Sequence, residues 1–337
     1  MPHLIRTIDA HVGGCPVRLI VGGVAPLTAR SLPARVGRLQ RQFDHIRGGL
    51  LRPPRGHDDL TAVLFTEPVS PGAHAAIICM DATGYPALHG EAIVAAATIA
   101  IERKLVFTGD VGGETRLILD TLAGTVTARL RVEQRGDATR VDSVALTNVP
   151  AFVSVPAQPV RLAGRELRVD IAFGGLFHAI VDTEAIGIPL TAARLPDLRR
   201  LAIDVLKALN ASSPVQHPAD AAIAGVAALT ITSAPRDPEA HLRNVTVSTS
   251  GAINPSASVT GTSAAMAVLD AMGLLPPDQP FIHEGLSGSL LRGHVLRRTA
   301  IGDHPAIITE ITGSAWITGE HTFVLDDDDP FREGYQI

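Results

Sequence analysis

Two alanine-rich segments restrict what this chain can fold into more than any other feature of its sequence. They span residues 89–100 and 258–269, and both are apolar almost all the way round a helical wheel. A helix without a polar face has to be buried on every side. We therefore predict two buried helices, each at the centre of a mixed sheet that curls around it.

The spacing of these segments indicates a duplicated domain. They begin 169 residues apart, and a D-x-x-x-G-G motif occurs at residues 9–14 and again 161 residues later, at 170–175. A strand-like segment follows each motif, at 17–21 and at 177–181. Similar offsets in the same order predict two related halves.

The remaining patterns fit an α/β (α+β) fold of two pseudo-symmetric domains. Leu198, Leu201, Val205 and Leu209 lie with Leu195 on one face of a predicted surface helix, which residues 210–214 end. We expect the first domain over residues 1–160 and the second over 161–317. Whether the last strand, about 318–337, returns to the first domain stays open. Alternating polar and apolar residues predict strands at 115–120, 125–132, 245–249 and 306–311.

Composition excludes several classes of protein. Among 337 residues, 46% are hydrophobic, which is enough for a packed core, and the net charge is −5 with no lysine- or arginine-rich block. Aromatic residues make up 4%, so neither an electrostatic nor a stacking surface for nucleic acid is indicated. The longest apolar run, residues 92–101, is shorter than the roughly 20 residues that cross a bilayer.

The first residues lack the apolar core of a signal peptide, and we expect a cytoplasmic protein. The chain has two cysteines, Cys15 and Cys79, and neither belongs to a C-x-x-C pair. Neither a disulfide framework nor a structural zinc site is therefore expected.

The starts of the two buried helices have a chemistry of their own. Each presents main-chain N–H groups and the positive end of the helix dipole, which together suit a carboxylate. Gly90 and Gly261 allow close approach there, and His89 and Ser258 occupy matching positions. If the halves face each other, a small carboxylic acid would have its Cα between these two side chains. That arrangement suits the removal of a proton from a carbon next to a carboxylate.

Longer motifs around these positions resemble one family. Gly84-Tyr85 leads into residues 88–92, which is similar to the G-Y and M-C-G-H-G of proline racemases and hydroxyproline epimerases. Residues 254–264 are similar to the D-R-S-P-C-G-T-G-T-S-A of the same enzymes. The chain is therefore identified as a member of the proline racemase superfamily. Further similar stretches are 7–11, 54–59, 68–71, 174–182, 216–218, 243–247, 311–315 and 329–331.

The resemblance implies a diaminopimelate epimerase-like fold with its site between the two domains. It also implies acid/base chemistry without a cofactor on a small imino acid. From composition and residue spacing we expect no metal and no nucleic acid or membrane partner. A homodimer is left open. Pyrrole-2-carboxylate, a planar mimic of the carbanion-like state, should bind.

The chain departs from the family pattern at the positions of the catalytic residues. By position, His89 replaces the first catalytic cysteine and Ser258 the second. Glu91 replaces the histidine two residues after the first cysteine, and Asn254 replaces the aspartate before the second. Cys15 stands where the family usually has glutamate. A racemase that works through two thiols is therefore excluded.

The residues that replace the two cysteines, His89 and Ser258, favour a reaction that needs one good base. Imidazole is a suitable base near neutral pH, and Glu91 could pair with His89 or act itself. Serine needs a neighbouring base, and the sequence shows no obvious one for Ser258. We therefore expect β-elimination, as in the family's trans-3-hydroxyproline dehydratases, where a hydroxyl residue replaces the second cysteine. Two alternatives stay open, namely a racemase or 2-epimerase of a proline derivative that uses His89, and a non-catalytic imino-acid-binding homologue.

Simple structural roles compete with these assignments. His89 could be a helix-capping imidazole, Ser258 an ordinary N-cap that bonds near Gly261, and Glu91 a first-turn carboxylate that the dipole stabilises. Glu91 would also repel a substrate carboxylate, which leaves open a substrate whose acid group is amidated, esterified or bound to a carrier. The residues expected to line the substrate are Gly90, Val259, Thr260, Gly261, His57 and His178.

Overall fold

The chain divides into two compact units in a computed structural model that describes residues 2–106, 108, 113–162, 164–212, 214–275 and 279–335. Unit 1 comprises Met1–Leu146 and Ser314–Ile337, and unit 2 comprises Thr147–Gly313. The expected boundary near residue 160 differs from this division by one strand. The strand at 151–162 pairs with the strand at 165–173, so it belongs to unit 2.

Unit 1 contains a mixed sheet. The first strand pairs antiparallel with the last strand of the chain and with the second strand, and the second pairs parallel with the third. Antiparallel, parallel and antiparallel pairings then connect the third strand to the sixth. The strands of this unit are β1 (His3–Val12), β2 (Cys15–Gly22), β3 (Thr61–Thr66), β4 (Ala75–Met80), β5 (Glu114–Thr121), β6 (Gly124–Arg135), β7 (Ala138–Thr147) and β19 (Ala315–Leu325).

Two helices cover opposite faces of this sheet. Helix α2 (Gly90–Glu102) is buried from Gly90 to Ala100 and contacts β1, β2, β3, β6 and β19, so the predicted central helix is confirmed. Helix α1 (Leu32–Leu51), which the sequence analysis did not predict, packs on β3 and β4. Side chains alternate between the faces of a strand. Those that face α1 are Ala62, Leu64, Ala76, Ile78 and Met80.

Unit 2 contains a sheet that closes on itself. The strands at 151–162 and 304–313 close the ring, because Phe152 pairs with Ala306 and Ala151 pairs with Ile307. The ring contains both parallel and antiparallel pairs, and a short two-stranded hairpin lies outside it. The strands are β8 (Ala151–Leu162), β9 (Arg165–Phe173), β10 (Phe177–Asp182), β11 (Gln216–His217), β12 (Asp220–Ala224), β13 (Val226–Ser233), β14 (Leu242–Ser248), β15 (Ile253–Asn254), β16 (Phe281–Glu284), β17 (Leu290–Ile301) and β18 (His304–Gly313).

The closed sheet of unit 2 surrounds the second predicted helix. Helix α5 (Val259–Ala271) contacts β8, β9, β10, β17 and β18 and is buried over its first two turns. After the short helix α3 (Thr183–Ile186), helix α4 (Leu195–Ser212) packs on β8, β13 and β14 through the leucine and valine face that its sequence predicts. The predicted α+β class, with a mixed sheet around one central helix in each domain, is confirmed.

The duplicated D-x-x-x-G-G motif forms a hairpin turn in each unit. The first motif ends β1 and enters β2, and the second ends β9 and enters β10. Gly14 and Gly175 have φ angles of 89° and 108°, which glycine adopts without strain. The motif therefore recurs because each unit needs the same tight strand connection.

Helix α5 carries polar residues that only internal partners can satisfy. The Thr262 hydroxyl donates to the Ala257 carbonyl over 3.1 Å and lies 2.9 Å from Nδ1 of His283, which is 0% exposed. Because that hydroxyl uses its hydrogen on Ala257, it accepts from His283 Nδ1–H. Burial lowers the pKa of His283 to about 3, so its ring is neutral in the folded protein.

No helix within the described ranges combines the length and the apolar character needed to cross a bilayer.

The buried imidazole makes the fold sensitive to acid. The unfolded chain binds a proton at His283 below about pH 6.5, whereas the folded chain resists it down to about pH 3. Stability contributed by this ring is therefore present above pH 6.5 and is lost as pH falls, by up to ~1.4 kcal/mol per pH unit. Between about pH 7 and about pH 5, urea unfolding should show wild type losing about 2 kcal/mol more than His283→Gln. The exposed His294→Gln should behave like wild type, and equal acid losses in wild type and His283→Gln would contradict the assignment.

Candidate functional site

His89 is the N-cap residue of α2, in unit 1. Its backbone is extended, with φ of −134° and ψ of 108°, and Gly90 begins the helix. The Ala92 N–H donates to the ring Nδ1 over 3.4 Å, so the imidazole takes the place that serine or aspartate usually fills. The side chain is 21% exposed, which leaves the rest of the ring open to a ligand.

Glu91 lies beside this imidazole in the first turn of α2. Its side chain is 1% exposed, and Oε2 is 3.7 Å from Nδ1 of His89. The capping contact with Ala92 requires a lone pair on Nδ1, whereas an ion pair or hydrogen bond with Glu91 requires a proton there. With its proton on Nδ1, a neutral ring has its lone pair on Nε2 and can act as a base. These two contacts exclude each other in a neutral ring. With the cap formed, the proton lies on Nε2, and Nε2 has a lone pair for a base only when Nδ1 gives up the Ala92 N–H and turns its proton to Glu91.

The two cysteines are inert by environment. Both are buried, and burial raises the pKa of the Cys79 thiol to about 12, although the main-chain N–H of His89 partly offsets that rise. Burial also raises the pKa of Cys15, with the negative charges of Glu91 and Asp59 adding to the effect. Since only the thiolate reacts as a base or nucleophile, neither cysteine supplies the thiol chemistry that residues 89 and 258 lack.

Ser258 occupies the corresponding N-cap position of α5, in unit 2. Its Oγ accepts the Gly261 N–H over 3.1 Å, as expected of an ordinary cap. Its backbone is unusual, since φ is 58° at a residue that is not glycine, which costs about 1–3 kcal/mol. A Cβ at position 261 would lie 3.0 Å from Ser258 Cβ and 3.2 Å from the Thr230 hydroxyl, so a larger residue there would press on both side chains.

Asn254 shapes the loop that leads into Ser258. It ends β15, is partly buried, and its Oδ1 accepts the Ser256 N–H over 2.9 Å. The following loop packs tightly on Gly285, where a Cβ would lie 2.6 Å from the main chain of Pro255 and Ala257. The structure thus shows a turn-forming contact for Asn254.

A histidine that the sequence analysis did not connect with Ser258 lies behind it. The Thr260 hydroxyl is 3.4 Å from Ser258 Oγ and 3.1 Å from Nε2 of His178. His178 is 1% exposed, and its Nδ1 is 3.0 Å from the Thr230 hydroxyl. His178 was expected to line the substrate, whereas the structure places it beneath the first turn of α5. Sequence could not reveal this neighbourhood, because α5 begins 77 residues after β10 ends.

The other residues expected near the substrate divide into two groups. Gly90, Val259 and Gly261 are buried in the first turns of α2 and α5. His57 is exposed in a turn before β3, where its carbonyl accepts the Leu60 N–H over 3.0 Å. Across the part of the chain that the structure describes, no three His, Cys, Asp or Glu side chains are grouped to hold a metal ion.

Comparisons with known proteins relate the whole chain to one family. A sequence profile described as proline racemase matches residues 7–336. The chain is 33% identical to a proline racemase of Acetoanaerobium sticklandii, over 99% of this chain and 98% of that protein. It is also 33% identical, with the same coverage of both chains, to a trans-3-hydroxy-L-proline dehydratase of Bacillus cereus. A hydroxyproline epimerase of Agrobacterium vitis, solved with bound trans-4-hydroxy-L-proline, superposes with a TM-score of 0.91 at 27% identity, covering 99% of this chain and 95% of that one.

The environment of the cysteines predicts their reactivity. In the folded protein neither thiol should react with a disulfide reagent near neutral pH, because both are buried and protonated. Both of the chain's thiols should react once it is unfolded in guanidinium, and that reaction serves as the control. Rapid labelling of the folded protein would show that one of them is an accessible thiolate.

Proposed function

The chain belongs to the proline racemase family, and from that premise we propose that it removes the Cα proton of a proline- or hydroxyproline-like imino acid, with His89 as the base. The observation that supports this role is the geometry of His89. Its imidazole is partly exposed and has a buried carboxylate 3.7 Å from Nδ1. By the resemblance of residues 84–92 to the family motif, it stands in place of the first catalytic thiol.

In this proposal His89, Glu91 and the main chain around Gly90 each contribute to removing a carbon-bound proton. Main-chain N–H groups at the start of α2, around Gly90, favour a substrate carboxylate through the helix dipole. Nε2 of His89 takes the proton, and the Glu91 carboxylate stabilises the imidazolium that results. The proposed chemistry uses no cofactor, since proton transfer is its only protein-dependent step.

Two products can follow from the carbanion-like state. Elimination of a hydroxyl group on Cβ needs no second base, because the proton that His89 has taken from Cα can pass to the departing hydroxyl, which leaves as water. The B. cereus relative is named as a dehydratase. Epimerisation needs a second acid/base that returns a proton to the opposite face of Cα. A specific observation favours this second candidate, because Ser258 has a hydrogen-bonded neighbour, Thr260, that itself reaches a histidine.

Incubation of the protein in D₂O tests the proposal. Wild type should introduce deuterium at Cα of proline or hydroxyproline, or convert trans-3-hydroxy-L-proline to Δ1-pyrroline-2-carboxylate, as followed by NMR. His89→Asn should slow this reaction by about 10²–10⁴-fold, which is the usual contribution of a positioned general base. The exposed His294→Gln is the matched control and should leave the rate unchanged.

Binding of imino acids without exchange or turnover across the panel would remove the enzyme proposal and favour the non-catalytic homologue.

Glu91 gives a second test, in which two measurements should move in opposite directions. Glu91→Gln keeps the shape of the side chain but removes its charge, so His89 loses the partner that stabilises its protonated form. Exchange at Cα should fall by about 10–100-fold. Binding of pyrrole-2-carboxylate, measured by calorimetry, should tighten because the repulsion between carboxylates is gone.

Glu184→Gln, which changes the exposed first-turn carboxylate of α3, is the control and should change neither measurement. If Glu91→Gln also leaves both unchanged, Glu91 has only a structural role.

A further inference from the structure

We propose that His178 is a positioning residue which, through Thr260, makes Ser258 a second acid/base, so that the chain exchanges the Cα proton of both enantiomers of its substrate. This inference rests on the proposed function and deepens it. It supplies the partner that the Ser258 hydroxyl needs and that the sequence analysis did not find.

A continuous series of hydroxyl and imidazole groups leads from Ser258 into unit 2. Ser258 Oγ is 3.4 Å from Thr260 Oγ1, and Thr260 Oγ1 is 3.1 Å from His178 Nε2. On the far side of the ring, His178 Nδ1 is 3.0 Å from Thr230 Oγ1, which is 3.2 Å from Thr246 Oγ1. Every member is a group that can both give and receive a proton.

One set of hydrogen positions satisfies the whole series. The Gly261 N–H occupies a lone pair of Ser258 Oγ, so the serine's own hydrogen can point to Thr260. Thr260 then donates to His178 Nε2, and a proton on Nδ1 is donated to Thr230. In this arrangement the lone pair of the imidazole is directed, through one hydroxyl group, at Ser258.

The proton transfer balances in both directions. When Ser258 acts as the base, the Cα proton moves to Oγ, the Ser258 hydroxyl proton moves to Thr260, and the Thr260 proton moves to Nε2 of His178. A carbanion and an imidazolium result. When Ser258 acts as the acid, the same three transfers run in reverse and His178 returns to its neutral form. No oxidant, metal or other co-reactant takes part.

Burial of the series supports transfer along it. His178 is 1% exposed, and Thr230, Thr246, Thr260 and Ser258 are all buried. Hydrogen bonds are electrostatically stronger in such surroundings than in water. The positive φ of Ser258 also supports a functional role for this residue, since backbone strain of this kind clusters at functional sites.

A structural role as a helix cap does not account for these contacts. The capping requirement of Ser258 is met by the Gly261 N–H alone, and the contact with Thr260 is additional. The second buried histidine that contacts α5 shows the difference. The series from His283 passes through Thr262 and ends at the Ala257 carbonyl, which has no proton to give or exchange. His283 is therefore the matched control for His178.

The test follows deuterium exchange at Cα for each enantiomer separately. L-proline and D-proline, and the two 2-epimers of 4-hydroxyproline, are incubated with the full chain in D₂O and followed by NMR. His178→Gln retains an acceptor for Thr260 but cannot take up a proton, and Thr260→Val breaks the series at its first step. Both variants should slow exchange of one enantiomer by about 10²-fold or more while the other stays near the wild-type rate. His89→Asn should show the opposite preference, and His283→Gln should affect both enantiomers alike.

Each outcome decides the question. Equal slowing of both enantiomers in His178→Gln, or no slowing, overturns the role of His178 and leaves the proposed function intact. Exchange of a single enantiomer by wild type also overturns it, because Ser258 then contributes no second base and elimination by His89 alone remains. Exchange of neither enantiomer and no elimination product would remove the proposed function, and this inference with it. Circular dichroism of the two variants establishes that each one is folded.

Discussion

The structure depends on burying an apolar helix inside the sheet of its own unit. Because α2 and α5 contact strands around most of their circumference, neither helix can rotate or slide without exposing alanine and valine side chains or clashing with the sheet. The direction of each first turn is therefore fixed. A residue at the N-cap inherits that rigidity, since its side chain is tied to the first-turn N–H groups. His89 and Ser258 both gain a defined position in this way, at a point where the helix dipole favours an anion.

In the proposals made above, His89 and Ser258 are activated by different means. For His89 the partner is the carboxylate of Glu91, two residues further along the chain, with Oε2 3.7 Å from Nδ1 of the ring. For Ser258 the partners are a hydrogen-bonded series of side chains, which runs through Thr260 to His178 on β10 and Thr230 on β13. By the family resemblance, positions 89, 91 and 15 usually carry cysteine, histidine and glutamate. Here they carry histidine, glutamate and cysteine. The thiol thus stands at a buried position, where burial and the charge of Glu91 keep it protonated, and the imidazole stands at a partly exposed one.

Most of the fold could be predicted from local patterns. The two alanine-rich segments form the central helices because an all-apolar helix has no stable place except a core, and the strands at 115–120 and 306–311 follow from alternation. Helix α1 was missed even though Leu32, Val36, Leu39, Ile46 and Leu50 recur at helical spacing and Ser31 caps the start. Several arginine and glycine residues interrupt that pattern, and Arg35 and Arg47 are themselves buried through bonds to main-chain carbonyls. Tertiary hydrogen bonds of this kind leave no trace in hydrophobic periodicity.

The sequence by itself determined the family, the class of fold, the positions of the two central helices and the identities of the residues at their starts. It could do so because helix burial and capping depend on residues that are neighbours along the chain. Only the tertiary structure decided which groups stand behind those residues. The parallel pairing of β10 with β13 brings His178 beside Thr230, and the packing of α5 on β10 sets Thr260 against the ring. A hydrogen bond between residues 82 positions apart exists only after the sheet has closed around the helix, so no local pattern could predict the neighbour of Ser258.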